Sequence, residues 1–272
     1  MKTGLLGCVN NISQHLDKIK VWAKSFNEVC NSQVILVCIN PTDMELRILQ
    51  TMGIDTAAYY LESGETVNNF RLQYEIDTLK QTDWDYALIT DVFDVMFQDD
   101  PFQKIIGHQI TVGTEGVYHF EEPWNLDVMQ KSYPNKVELV RNELILCSGV
   151  IGGEKNRLLT FLTKMDSITK KGVGGHDIRD QAAMNIKIYD DKSPFHNYNL
   201  LTPKDGWVLH CAVGGPTQFY ESWGFKDKMK ERYGEAEMIN GVVVNGQGQI
   251  FDIVHQFNRI EQWNKELTMR YI

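Results

Sequence analysis

The stretch WDYALITDVFDVMFQDDPF, residues 84–102, carries an apolar run straight into four aspartates, Asp91, Asp94, Asp99 and Asp100. Residues 84–90 read as a strand, and the continuous apolar run within it fits a strand buried on both faces. The acids therefore fall where that strand ends. In an open, mostly parallel sheet, ligands bind beyond the carboxyl ends of the strands, where loops diverge and backbone groups are free. Whether 84–102 belongs to such a sheet decides both the fold and the place of the site.

The residues before it say that it does. Residues 3–9, TGLLGCV, read as a short strand, and Ile12, Leu16, Ile19, Ala23, Phe26 and Cys30 follow at helical spacings of 3 and 4. Residues 34–39, VILVCI, are apolar and rich in β-branched side chains, and Asn40-Pro41 ends the run. Thr42 and Glu45 have capping-box spacing and predict a second helix. Residues 65–81 predict a third, which returns to the strand at 84–90. This β-α-β-α-(β)-α-β order implies an α/β fold with a mostly parallel central sheet and helices on both faces.

Beyond the acids, residues 110–114 and 146–151 predict strands, 157–168 and 178–187 predict helices, and 171–176 (KGVGGH) form a glycine-rich loop. Residues 242–244 and 249–254 flank NGQG, whose Asn245-Gly246 is a hairpin signal. An antiparallel pair carrying His255 near its end is therefore expected there, with a last helix at about 260–270. The sequence shows no internal repeat, low-complexity tract or linker.

Composition narrows the chemistry. A chain of 272 residues, 43% of them hydrophobic, can bury a large core. Its formal charge of −9 argues against a nucleic-acid partner, which would need clustered Lys and Arg. Any phosphate bound here calls for a metal ion as intermediary. No apolar run approaches the roughly 20 residues that cross a bilayer, and the first residues lack the order of a signal peptide. The five cysteines (Cys8, Cys30, Cys38, Cys147, Cys211) are widely spaced without a CxxC, which fits reduced core thiols and the cytoplasm of a cell or an infected host cell.

Among the four aspartates, Asp91 and Asp94 are set within apolar residues (Val92, Phe93, Val95, Met96, Phe97), so packed structure holds their carboxylates close together. Two such carboxylates repel unless a cation, a proton or a basic group lies between them. Oxygen ligands at a strand end suit Mg²⁺ or Mn²⁺ bound together with a substrate phosphate. An EF-hand is excluded by the absent alternating ligands and central glycine. Asp99 and Asp100 precede Pro101 and read as turn residues.

These residues resemble the nucleotide-sugar-dependent glycosyltransferases of the GT-A fold, whose acidic DxD motif ends a strand of a Rossmann-like sheet. The similarity is to a variant group with a DVRDVxFQxDPF-like sequence. Here Phe93 stands where that group often has arginine, which removes a phosphate or structural contact. Further segments follow in the same order: GTEG and EEPW within residues 113–124, CSGVIGG at 147–153, DQAAMN at 180–185 and IVHQFNR at 253–259. The last three are similar to the group's N-x-G-VIGG strand, DQxxxN helix and HQYDR segment. Together they span about residues 70–260.

The resemblance implies a single domain over 1–272, with a nucleotide-binding half at about 1–102 and an acceptor-binding half at about 103–272 that adds a smaller antiparallel C-terminal elaboration. It implies a Mn²⁺- or Mg²⁺-dependent transfer of a sugar from a nucleotide diphosphate, UDP foremost, to a hydroxyl of a glycan or other acceptor. Asp94 would ligate the metal, Asp91 the metal or the ribose hydroxyls, and His255 would complete the coordination, with His210 as the rival histidine. Asp180, or else Asp177, would serve as the catalytic carboxylate, as base or in contact with the donor sugar. Arg71 would reach donor phosphate or sugar. Asn10 would lie near the nucleoside by topology, and Gly149, Gly152 and Gly153 would allow close approach of the donor. Trp124, Trp207 and Trp223 are the candidates for stacking on a sugar. A sugar nucleotidyltransferase is disfavoured by the missing glycine-rich loop near residue 1, and a catalytically silent sugar-nucleotide or glycan-binding relative is the alternative of another class.

Overall fold

In the computed structural model, residues 1–61, 67–107, 110–173, 179–190, 198–214 and 225–272 are described. The first third alternates as expected: β1 (Thr3–Val9), α1 (Leu16–Val29), β2 (Gln33–Ile39), α2 (Asp43–Thr51), β3 (Asp55–Tyr59), α3 (Val67–Gln81) and β4 (Tyr86–Thr90). Then come β5 (Val95–Phe97), β6 (Ile110–Tyr118), α4 (Pro123–Ser132), the short α5 (Val137–Val140), β7 (Leu144–Glu154), α6 (Lys155–Lys171) and α7 (Asp180–Tyr189). The chain finishes with β8 (Tyr198–Leu201), β9 (Val208–His210), α8 (Cys211–Gly214), α9 (Phe225–Tyr233), β10 (Glu237–Ile239), β11 (Val242–Val244), β12 (Ile253–His255) and α10 (Glu261–Met269).

Among the described residues, seven strands form one sheet in the order β3-β2-β1-β4-β7-β6-β8. Adjacent pairs are parallel except where β7 runs against β4 and β6. Alternate residues of one strand face opposite layers. Leu5, Leu36 and Leu88 pack with Trp22 and Phe26 of α1 and Leu49 of α2. Leu6, Val37 and Ile89 pack with Leu72 and Ile76 of α3 and Leu158 and Leu162 of α6 on the other face. Each such side chain contributes roughly 1.5–3 kcal/mol on burial, so helices cover both faces for a plain reason. The described residues contain no helix long and apolar enough to cross a membrane, and all five cysteines are free.

The strand order reverses between β1 and β4: the chain leaves β1 toward β2 and β3, then returns to the other side of β1 as β4. Residues following β1 and β4 therefore flank the crevice where such sheets take ligands. The Thr42–Glu45 capping box closes with both of its hydrogen bonds. Asp100 caps the turn that follows β5 by accepting from Phe102 N, as a turn residue should.

Two expectations need correction. Residues 12–30 are not one helix: Asn11 adopts φ 51°, a 3-10 turn follows at Ile12–Gln14, and α1 starts only at Leu16. The hairpin around NGQG forms only in part: Val244 and Ile250 make an antiparallel bridge and Phe251 N donates to Val243 O (3.2 Å), but the pairing does not extend to His255. Asn245 N closes its turn by donating to Gln249 O (2.8 Å), and β11 also pairs antiparallel with β10. Residues 253–255 leave to form β12, which lies antiparallel to β5 and parallel to β9 in a separate three-stranded sheet. The tight turn is local chemistry, whereas the pairing is decided by which strand edge is within reach.

Candidate functional site

Each acid is placed by the strand before it. Trp22 Nε1 donates to Thr90 Oγ1 (2.8 Å) at the end of β4, and Asp91 N donates to Gly149 O (2.8 Å), so Asp91 leaves the sheet in a fixed direction. Three residues on, Asp94 O accepts from Gln256 N (2.6 Å), which ties the acidic turn to the end of β12. Gln256 takes φ 61°, and this left-handed residue turns the chain sharply just after His255.

His255 is 1% exposed, and its Nε2 has no hydrogen-bond partner. That atom points at the two carboxylates, 3.5 Å from Asp91 Oδ2 and 3.7 Å from Asp94 Oδ1. Ligands about 2.0–2.2 Å from a common ion stand at comparable separations, so the three atoms could hold one divalent cation, as could the other group that shares His255, with Cys147 and His210. Gly149 makes the arrangement sterically feasible, because a Cβ there would lie 2.4 Å from His255 Cε1 and 2.8 Å from Asp91 Oδ2. The donor set of two carboxylates and an imidazole suits Mn²⁺ or Mg²⁺, with the nitrogen favouring Mn²⁺.

Arg71 on α3 bridges two of the predicted acids. Its Nη1 donates to Asp91 Oδ1 (2.7 Å) and its Nη2 to Asp180 Oδ2 at the start of α7. Burial pushes the Asp91 carboxyl up, but Arg71 and His255 overcome this and hold it well below the usual range. Asp94 lacks the arginine, and burial together with Asp91 raises it. Burial lowers His255, yet its two carboxylates win and leave it raised. Asp91 still keeps 33% of its side chain open, which leaves room for a ligand.

Arg71, Asp91, Asp180 and His255, though not Asp94, line a cavity of about 530 Å³, a volume in the range of small-molecule sites. Its far wall holds residues that sequence reasoning did not single out. Glu115 of β6 is 7% exposed; Gln181 Nε2 donates to its Oε1 (3.1 Å), and the Cys147 thiol adds a neutral contact. Burial and then Glu122 push its carboxyl up to about 7. Glu122 is saturated by Trp124 N, Asn125 N and Asn125 Nδ2. Gln181 Nε2 also reaches Asn125 Oδ1 (2.8 Å), so the amides form a fixed row. The signals for this wall were the GTEG and EEPW segments; what was missing was the chain reversal that brings them to one place.

The DQAAMN helix is anchored by its asparagine. Asn185 is fully buried, and it accepts from Leu146 N (3.0 Å) and donates to Leu146 O (2.8 Å), gripping β7 as a strand partner would. This sets Asp180 over the cavity, where its other contacts are Ser148 Oγ (3.4 Å) and Gln181 N (2.9 Å).

Other expected residues fall elsewhere. Gly152 and Gly153 sit within β7, opposite Leu88 and Ala87. A Cβ on Gly152 would strike Ile105 Cδ1 at 2.5 Å, so that glycine admits a core side chain and not a donor. Asn10 follows β1 at the reversal of strand order, half-buried, but it does not line the cavity. Trp207 is a core residue donating to Pro101 O (3.2 Å), whereas Trp124 is 42% exposed on the cavity wall. Phe93 packs on His15 with ring centroids 4.2 Å apart, so the residue replacing arginine has an apolar role. Asp177 and Trp223, with residues 174–176 of the glycine-rich loop, lie outside the described residues.

No protein-family model matches the chain, and no curated protein sequence matches it.

Proposed function

We propose that this protein is a metal-dependent glycosyltransferase that moves a sugar from a nucleotide diphosphate, UDP foremost, to a hydroxyl of a glycan or other acceptor. The observation that carries the reading is the buried, unpartnered Nε2 of His255 aimed at Asp91 and Asp94 beyond the end of a parallel strand. A Mn²⁺ or Mg²⁺ ion held by Asp91, Asp94 and His255 would neutralise the diphosphate and stabilise it as a leaving group.

The remaining residues have work that does not depend on the ion. Arg71 fixes Asp91 and Asp180 relative to each other and keeps a positive charge on the wall beside them. Asp180, already paired with that guanidinium, is better suited to holding a donor sugar than to taking a proton. Glu115, which has only neutral donors and a carboxyl pushed up to about 7, suits a general base for the acceptor hydroxyl. Trp124 offers an apolar plate for a sugar face on the same side.

Calorimetry of UDP binding with and without Mn²⁺ tests the reading. Binding should require the ion and weaken by at least about tenfold in Asp94→Ala and in His255→Ala, as expected when a ligand to the metal is lost. If both variants keep Mn²⁺-dependent UDP binding unchanged, the metal site is wrong.

A further inference from the structure

A second group of donors meets the other nitrogen of His255. His210 ends β9 and His255 ends β12, and the two strands pair with His255 directly opposite His210. Cys147 comes from β7 of the large sheet. Its Sγ lies 3.7 Å from His255 Nδ1, and His210 Nδ1 lies 2.9 Å from the same atom. All three donor atoms lie within 4.8 Å of one another, and the side chains are buried, at 3%, 2% and 1% exposure for Cys147, His210 and His255. Asp91 and Asp94 face Nε2 instead, so His210 and Cys147 stand behind His255 as seen from the carboxylates.

The backbone prepares this arrangement. Residues i and i+2 of a strand share a face, so Cys147 and Gly149 both meet the His255 ring. The thiol approaches Nδ1, and the glycine leaves room at Cε1, where a Cβ would lie 2.4 Å away. Gly113 of β6 makes room for His210 in the same way, since a Cβ there would come within 2.8 Å of His210 Nε2. That Nε2 has no hydrogen-bond partner, so the polar anchoring of the ring comes through Nδ1.

A thiol and two imidazoles buried together are costly unless their polar atoms are satisfied. Without an ion, one shared hydrogen joins the two Nδ1 atoms and the thiol makes only a weak contact. A metal ion satisfies all three atoms at once. Tetrahedral zinc, about 2.3 Å from sulfur and about 2.0–2.1 Å from nitrogen, sets sulfur and nitrogen about 3.6 Å apart and two nitrogens about 3.3 Å apart. The first separation matches the observed 3.7 Å, and the second requires the two rings to part by about 0.4 Å from their 2.9 Å contact. Cys147 and His255 also line the large cavity, which gives an ion a way in and a water the fourth position.

We propose that Cys147, His210 and His255 form a binding site for a thiophilic divalent cation, Zn²⁺ foremost, distinct from the carboxylate group in front of His255. Donor chemistry separates the two groups: thiolate and imidazole select Zn²⁺, whereas two carboxylates and one imidazole suit Mn²⁺ or Mg²⁺. Binding forms one metal–sulfur bond and releases the thiol proton to solvent. A neutral imidazole offers one lone pair, so the two groups take an ion in turn and not together. The proposal goes beyond the sugar-transfer reading and does not depend on it.

Cobalt(II) is the probe, because a cobalt–thiolate bond gives an intense near-ultraviolet absorption that carboxylate and imidazole ligands do not. With the thiols kept reduced by a phosphine, the wild-type protein should bind cobalt with this band, and Zn²⁺ should displace it. Cys147→Ser should abolish the band, His210→Leu should weaken Zn²⁺ binding by at least about tenfold, and Asp94→Ala should keep the band. A wild-type protein without the band at saturating cobalt would overturn the proposal even if no variant folds. So would a band that survives in Cys147→Ser, which would put the ion on another cysteine, or one lost from a folded Asp94→Ala protein. A band of the expected behaviour in a protein whose UDP binding ignores Mn²⁺ would support the thiolate site and refute the glycosyltransferase reading alone.

Discussion

Behind Arg71, on the same face of α3, lies Glu75, which is 3% exposed and lines a small cavity with Arg71, Thr90 and Asp91. Burial pushes its carboxyl up from 4.5 to about 7; Arg71 opposes this, and Asp91 and Asp180 reinforce it. A carboxyl raised on folding binds its proton more tightly in the native state than in the unfolded chain. Stability should therefore fall as pH rises from about 4.5 to about 7, the reverse of the usual carboxylate effect. At 1.36 kcal/mol per pH unit, that span makes the ionised group cost about 3 kcal/mol at pH 8, against less than about 1 kcal/mol at pH 5.

Glu75→Gln keeps the shape and removes the ionisation. Urea unfolding at pH 5 and pH 8 should show the variant gaining roughly 2–3 kcal/mol more over wild type at pH 8 than at pH 5. An equal difference at the two pH values, or a variant weaker at pH 8, would refute the argument. That result would mean that Arg71 compensates Glu75 fully, leaving less of its charge for Asp91 and Asp180. The experiment thus measures how the single guanidinium is shared among three carboxylates.

Two further substitutions probe other joints of the structure. Arg71→Met leaves Asp91 and Asp180 without their common cation; with Arg71 21% exposed, the loss should be about 2–4 kcal/mol in thermal or urea unfolding, and Asp91 should titrate higher by carbon-detected NMR. Gln98 donates to Val243 O (3.0 Å) and Phe251 O (2.9 Å) and accepts from Val243 N (2.8 Å), so Gln98→Leu should cost about 2–4 kcal/mol and loosen amide-exchange protection at Val243. A protected Val243 amide in that variant would show that these bonds do not hold the C-terminal segment.

What could be read in the sequence was set by chemistry close in the chain. The alternating order of the first ninety residues, the Thr42 cap and the acidic strand end all follow from neighbouring side chains, and each is found in the structure. The direction of β7 is not of this kind. A continuous apolar run reports burial on both faces, but it is silent on whether the strand runs with or against its neighbours. The role of Gly152 is hidden for the same reason, since a glycine shows freedom in the backbone but not which atom approaches it. The β5-β12-β9 sheet was hidden more deeply, because it joins three-residue strands from residues 95, 208 and 253 onward, too short for any periodic signal. His210 could be named as a histidine of interest, yet its place behind His255 exists only in that sheet.

That small sheet also governs when the site exists. Asp91 and Asp94 are positioned by β4 and β5, but His255 arrives on β12, and β12 is held to β5 by strand pairing and by the Gln98 bonds to the segment before it. Until residues 242–255 dock, two carboxylates face each other with neither imidazole nor ion between them, and their repulsion opposes closure of the acidic turn. Docking brings a histidine whose pKa is raised by those same acids, so charge pairing and strand pairing reinforce one another. A ligand that binds only the docked form stabilises it further by mass action. The complete site thus exists only in the docked form, and on the proposed metal reading cation binding and closure of the C-terminal segment would be two readings of one equilibrium.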